Sequence, residues 1–378
     1  MADIISADYR VELRLDGTLI GDVRRLAQNL TWVRRRTKVG VDEIDFTIND
    51  VLFERWLQER GWTISQVIKP MALDCRIVRN GVAVMGGFLA TMPSYSPNGT
   101  SADLALKFDG YMNLLAGVYM HPVGTQTGRM GTLIQNWITT ADNRARSAGK
   151  AFGFTKGTIS SMNSVEYTFD NYKSIKDAIT DRCDNTTGAG MFDVFFHPNR
   201  KYDILKDSSF GQTIKDYQIQ YPARLSGVSA VTIKADEVDG FASTVIGIGA
   251  GEISSDSSKN TAITKITTNS SAVRNYGYAE TIYQNSSISR QTTLNNNVAA
   301  ELRNTSNPIW QPQITLTGRQ VAPIPTGEKK IWLGDRVTIF NTADMTGMTD
   351  GLFRVNELSV KVSDTGAEEI TPVLERIV

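Results

Sequence analysis

The chain has 378 residues, with 40 Lys plus Arg set against 40 Asp plus Glu, two His and two Cys. At roughly 100–200 residues per domain, that length predicts about two to four units, and ordinary globular composition supplies a core. A neutral balance argues against a dedicated nucleic-acid binder, which carries a basic excess. Cys75 and Cys183 are too few for a disulfide scaffold and form no CxxC pair, while His121 and His197 leave few catalytic templates. The opening MADIISADYRVELRLDG has acidic residues where a secretion leader carries basic ones, so no leader is predicted. No stretch approaches the roughly 18 apolar residues of a membrane span.

The first hundred residues read as antiparallel β-structure. Val11, Leu13 and Leu15 alternate with Glu12 and Arg14, and Asp16-Gly17 supplies a hairpin turn towards Leu19 and Ile20. Ile44, Phe46 and Ile48 alternate again. Asn80-Gly81 between Cys75-Arg76-Ile77-Val78 and Val82-Ala83-Val84-Met85 predicts another hairpin, because both turn residues must take positive φ. Leu104, Leu106 and Phe108 complete the set. One helix interrupts it: Asp50 is the expected cap, residues 52, 53, 56 and 57 the expected apolar face, and Gly61 the stop. A barrel with a helix on its flank is the simplest architecture here.

Character changes after Tyr111. Met130, Leu133, Ile134, Trp137, Ile138 and Ala141 recur at helical spacing, with Gly149 beyond the last turn. A second helix is expected from about Asn171, with Tyr172, Ile175, Ile179 and Cys183 on one face. Met191 to Phe196 reads as a strand turning at Pro198-Asn199 into Lys201 to Leu205. Strands return at Leu225 to Ala235 and Thr244 to Ile248. The Ser-, Thr- and Asn-rich stretch from Gly251 to Ser271 reads as a long exposed loop, and Leu294, Val298 and Leu302 mark a helix ending near Asn304. The last part, from Trp310, is strand after strand, with Asp364-Thr365-Gly366 as the final turn.

Chemistry is sparse. Gly247-Ile248-Gly249-Ala250-Gly251 lacks the sixth-position glycine and the following helix of a dinucleotide loop, so a glycine-permitted close approach or a turn is the expected reading. His197 and His121 have no placed nucleophile or acid partner. Cys75 and Cys183 suit small buried hydrophobes, and Asp181 and Asp184 a solvated helix surface. No catalytic, cofactor or metal residue is therefore assigned. The candidate interface is the basic run: Trp32, Arg34, Arg35, Arg36 and Lys38. Alternate side chains of a strand face opposite ways, which splits the run between two surfaces. Asp42, Glu43 and Asp45 on the next strand are expected to pair across it. An interface or intrasheet role is favoured over DNA binding.

In order, these features resemble a tail hub protein of tailed bacteriophages, similar to the baseplate hub of contractile phages and the N-terminal hub region of siphophage tail-associated proteins. The resemblance is carried by Asp42 to Gly61, by Ser174 through Met191-Phe192-Asp193-Val194 to Tyr202-Asp203-Ile204-Leu205, and by Val231-Thr232-Ile233 leading to Thr244 to Gly249. It continues in Leu294 to Leu302, Leu333-Gly334-Asp335-Arg336-Val337-Thr338-Ile339, Gly351-Leu352-Phe353-Arg354-Val355 and the strands around Asp364-Thr365-Gly366. It implies a mainly β fold with α+β insertions: two tail-tube-like β-barrels plus two smaller domains. Barrel one would span 1–111, an α+β domain 112–206, barrel two 207–240 plus 310–373, and an inserted β-rich domain with one helix 241–309, leaving 374–378 as the end. It further implies a non-enzymatic, cofactor-free homotrimer of the virion tail tip or baseplate. That ring would continue the tail tube and serve as the channel for genome ejection. Its expected partners are a distal tail or tail tube protein, the tape-measure protein, and a tail fibre or receptor-binding protein, with DNA only in transit. The chain ends soon after barrel two, which speaks against a wall-degrading extension. A receptor- or glycan-binding adsorption module is the alternative, with Tyr276, Tyr278 and Tyr283 as the stacking residues.

Overall fold

The computed structural model describes residues 7–98, 101–121, 124–169, 172–183, 191–221, 228–235, 241–252, 261–286, 288–306, 310–317, 331–341 and 351–377. Tyr9–Leu15 (β1) turns through Asp16-Gly17, at φ 49° and 85°, into Thr18–Asp22 (β2). Gln28–Arg35 (β3) and Glu43–Asn49 (β4) precede the helices Asp50–Gln58 (α1) and Ile64–Val67 (α2). Leu73–Arg79 (β5) and Val82–Leu89 (β6) form the Asn80-Gly81 hairpin, with φ 48° and 79° at the turn. Ser94–Asn98 (β7) and Ser101–Gly110 (β8) follow.

The cap of α1 is Asn49, one residue before the expected Asp50. The Asn49 Oδ1 accepts the Leu52 backbone N–H at 3.2 Å, while the Asp50 carboxylate accepts from Val51 and from Ala102 on β8. The helix also seats differently. Phe53 and Leu57, four residues apart, are fully buried, whereas Leu52 is 51% exposed. Successive helical positions lie about 100° apart, so the sheet can cover Phe53 without covering Leu52.

A 3₁₀ turn at Tyr111–Gly117 leads into the mixed unit: Gly124–Arg129 (β9), Met130–Ser147 (α3), Thr155–Ile159 (β10), Ser164–Phe169 (β11), Ile175–Cys183 (α4), Phe192–Phe196 (β12) and Lys201–Lys206 (β13). All six periodic apolar residues of α3 are buried. Helix α4 starts later than expected, because the Ser174 hydroxyl caps it by accepting the Asp177 N–H at 3.0 Å. Tyr172 precedes the helix and is 68% exposed; Asn171 lies outside the described residues.

After Asp207–Ser209, a short 3₁₀ turn, come Thr213–Tyr221 (β14), Val228–Ala235 (β15), Thr244–Ile248 (β16), Thr264–Thr268 (β17), Ser270–Tyr276 (α5), Glu280–Gln284 (β18) and Gln291–Thr305 (α6). Trp310–Thr317 (β19), Arg336–Asn341 (β20), Gly351–Val362 (β21) and Glu368–Arg376 (β22) end the chain. The stretch expected as one long loop therefore holds β17 and the start of α5; its residues 253–260 lie outside those described. Thr-Lys-Ile-Thr-Thr has a single apolar residue, and that strand buries too little surface to show alternation. Residues 225–227, Asp184 and Pro308 also lie outside the described residues.

The fold is mainly β with α-bearing insertions. Among the described residues, fourteen strands form one sheet in the order β15-β19-β22-β21-β3-β4-β8-β6-β5-β1-β2, with β20 on β21, β14 on β20 and β7 on β8. Two separate closed barrels were expected. Instead β21 pairs antiparallel with β3, from Glu357 opposite Arg35 to Val362 opposite Leu30, and among the described residues no pairing closes a ring. Alternation marks a strand but carries no information about which distant strand lies beside it. Both halves share one core, running from Val11 and Leu13 through Trp32, Phe53 and Phe108 to Val337, Phe353 and Leu374. A second core fills the mixed unit around Trp137, Ile179 and Phe192, and a small third one lies under α6.

Candidate interface site at the basic strand

The run from Arg34 to Lys38 ends β3 and enters the turn to β4, where the large sheet meets the mixed unit. Trp32 is buried in the shared core; its Nε1 donates to the Tyr9 hydroxyl at 3.3 Å, and its ring lies 6.3 Å from that of Trp332. Arg34 is only 1% exposed. It donates to the Val84 carbonyl at 3.1 Å and the Phe196 carbonyl at 3.0 Å, approaches Asp42 at 3.1 Å, and lies 4.2 Å over the Phe195 ring. Burial pulls the Arg34 pKa down against the opposing pull of Asp42.

Arg35 faces the other side of the strand, as alternation requires. Its Nε donates to Glu357 at 2.8 Å on β21, it pairs with Glu43 at 3.2 Å on β4, and its backbone N–H donates to Asp42 at 2.7 Å. The expected cross-strand acids Asp42 and Glu43 are thus in place. Asp45 is half-buried, and burial pushes its carboxyl up against the pull of Lys107.

Arg36 is the centre of the joint. Its Nε and Nη2 donate to Asp193 at 3.0 and 2.7 Å, Nη2 also to Asp207 at 2.6 Å, and Nη1 to the Asn356 side chain at 3.1 Å. Thr37 seals the same place, donating its N–H to Asp193 at 3.1 Å and accepting the Val194 N–H at 2.7 Å. Asp207 also takes Arg354 on its carboxylate, and its carbonyl accepts from Arg336 at 2.9 Å and Arg354 at 3.1 Å. Lys38 donates to both oxygens of Glu375 at 2.8 and 2.9 Å, and Asn356 donates to the same carboxylate at 2.8 Å.

Burial alone would lower the Arg36 pKa, but Asp193 and Asp207 hold it above its ordinary value. Burial would likewise raise Asp207 and Glu375; Arg354 and Arg36 at the first, and Lys38 at the second, hold them below the ordinary carboxylate range. Every cation of the run faces a carboxylate of its own chain. Arg34 and Arg36 thus tie the sheet to the mixed unit, whereas Trp32, Arg35 and Lys38 make these contacts within the sheet and its core.

A second clamp lies nearby. The turn after β12 lays Pro198 on Gly86, where a Cβ would come within 2.9 Å of the proline backbone. Arg200, at φ 64°, reaches both oxygens of Asp74 on β5 at 2.7 and 2.8 Å and sits 4.9 Å over the Tyr111 ring. The acids of both clamps escaped the sequence reading because their partners lie up to 337 positions away. A signal was present nonetheless. Asp193 in the otherwise apolar Phe-Asp-Val-Phe-Phe, and Asp74 between the apolar Leu73 and Cys75, are carboxylates in buried strand positions, which require a partner.

The other expected residues are placed as follows. His197 Nε2 is 2.7 Å from Asp203 of its own hairpin, and the exposed His121 gives its carbonyl to Arg144 at 2.7 Å. Cys75 and Cys183 are buried, and Asp181 pairs with Lys173. Gly247 is a close approach: a Cβ there would lie 2.1 Å from Val298 of α6. Tyr276 and Tyr278 are exposed, whereas Tyr283 turns to α6 and accepts from Asn297 at 3.0 Å, so the tyrosines do not form one row. Among the described residues, no group of three or more His, Cys, Asp or Glu is placed to hold a metal ion, and no helix is long and apolar enough to cross a membrane.

No protein-family model and no curated protein matches the chain. Solved structures do. A tail protein from Neisseria meningitidis is similar at a TM-score of 0.63 and 11% identity, covering 97% of this chain and 96% of that one. The prophage MuSo2 tail protein from Shewanella oneidensis is similar at 0.62 and 13% identity, covering 97% and 98%. A prophage tail protein from Listeria monocytogenes is similar at 0.57 and 12% identity, covering 96% and 94%. From end to end, the chain has the fold of phage tail proteins.

Proposed function

We propose that the chain is a structural, non-enzymatic hub protein of a phage tail tip or baseplate. One observation carries the reading: three tail proteins, two of them from prophages, share the fold over nearly the full length of both chains. In this reading three subunits form a ring. Residues 1–111, 207–240 and 310–373, the two β-rich halves joined at β3 and β21, make its wall. Residues 112–206 and 241–309 project from it. Two similar halves in each of three subunits give the ring a pseudo-sixfold face suited to a sixfold tube above it. A distal tail or tail tube protein and the tape-measure protein meet one face, a fibre or receptor-binding protein the other, and DNA passes only at ejection. A neutral chain whose basic run is bound to its own carboxylates fits a conduit, because free lysine and arginine would retain the passing phosphates.

Electron microscopy of the purified full chain and of labelled virions tests this reading. A trimeric ring with a central opening, found at the tail tip, is the expected result. A monomer at all concentrations, or a label away from the tip, overturns it.

A further inference from the structure

Asp335, just before β20, is 4% exposed. Among the described residues its carboxylate accepts only two backbone N–H groups, of Gln212 at 2.9 Å and of Trp332 at 2.8 Å, and no cation pairs with it. The charged groups on the elements around it are engaged elsewhere. Arg336 of β20 donates to the Asp207 carbonyl at 2.9 Å, while Arg354 of β21 and Arg36 of β3 hold the Asp207 carboxylate. The N–H groups favour the Asp335 anion and burial opposes it; without an ion pair, burial prevails.

A short surface segment shuts water out of this place. Gly211, Gln212 and Thr213 are exposed, yet they lie across the carboxyl. The Gln212 N–H meets one carboxylate oxygen, and the Gln212 carbonyl accepts the Arg336 N–H at 2.8 Å. Gly211 crosses the backbone of Gly334 so closely that a Cβ would come within 2.1 Å of it. Both ends of the segment are fixed. Asp207 in its arginine clamp and the buried Phe210 precede it, and the β14–β20 pairing resumes beyond it at Gln218. An exposed crossing held by a few hydrogen bonds opens at far less cost than the whole fold. We propose that residues 211–213 form a pH-operated strap, closed over the neutral carboxyl of Asp335 in acid and released when that carboxyl ionises and draws water in.

The sign follows from linkage. The carboxyl titrates near 3.8 when the strap is open and is pushed up to about 6 when it is closed. Opening therefore grows about tenfold per pH unit between those values and levels off above them. Hydrogen exchange of the full chain, read at the Gln212 amide at pH 4 and pH 6.5, tests this. With the intrinsic pH dependence of amide exchange divided out, protection is expected to fall about a hundredfold in the wild type. It should stay below the protection of the central strand β5 at both pH values, and Asp335→Asn should abolish the fall. Equal protection at both pH values, or exchange of Gln212 only together with β5, overturns the inference, and both readouts need the wild type alone. A fall that persists in Asp335→Asn assigns the dependence to another group and overturns it as well.

Discussion

Arg36 and Asp207 lie 171 positions apart in the chain and 2.6 Å apart in space. Their contact, with Asp193 and Arg354 on either side, fastens the mixed unit to the strands at which the two halves of the large sheet meet. The Arg36 side chain is 2% exposed and that of Asp207 27%, so the cation sits in a low-dielectric place while its acid reaches the edge of the joint.

Replacing Arg36 by Met leaves Asp193 buried without its cation. Loss of about 3–5 kcal/mol of unfolding free energy is expected, because breaking a buried pair strands the remaining charge. Guanidinium titration measures it. Asp193→Leu combined with Arg36→Met should cost clearly less than the two single changes added together, which a double-mutant cycle reads.

The acids of the molecule titrate with opposite signs. Asp207 and Glu375 are held below the ordinary carboxylate range, so their stabilisation is complete above the unfolded value and fades as pH falls through the folded one. Asp335 is the reverse. Burial pushes it up to about 6, although it accepts backbone N–H groups of Gln212 at 2.9 Å and Trp332 at 2.8 Å. Its contribution is complete below the unfolded value near 3.8 and is lost as pH rises through about 6. The stability of the wild type relative to Asp335→Asn should therefore decline between pH 4 and pH 7. An unchanging difference across that range would refute it.

Helix α1 separates two leucines that look alike in the sequence. Leu57→Ala is expected to cost about 2–5 kcal/mol, since Leu57 is fully buried. Leu52→Ala should stay within about 0.5 kcal/mol. Asn49→Ala, which removes the cap, should cost about 1 kcal/mol. Denaturant midpoints of the three variants rank them directly.

Gly247→Ala places a methyl group 2.1 Å from Val298, closer than packing allows. A loss of about 1–3 kcal/mol is expected. Adding Val298→Ala should recover part of it, because the obstructing methyl groups are then gone. Thermal melts of the single and double variants decide this.

By itself the sequence determined what a few neighbouring residues encode. Period-two alternation marked β1, β4 and β8, the Asn80-Gly81 signal between two apolar runs marked β5 and β6, and both Asp16-Gly17 and Asn80-Gly81 took the positive φ that their turns demand. The six-residue apolar face of α3 was equally legible, and of the two readings open for the glycine run, close approach or turn, Gly247 takes the first. The polar strand β17 was not, since it buries almost nothing and alternation has no apolar residues to act on.

Only the tertiary structure decided that β3 and β21 join the halves in one sheet, that Phe53 rather than Leu52 faces it, and that the basic run closes on Asp193, Asp207 and Glu375. The physical reason is range. Backbone preferences and hydrophobic periods act over a few positions, whereas a buried charge takes whichever opposite charge the packed chain brings within reach, here from 157 to 337 positions away.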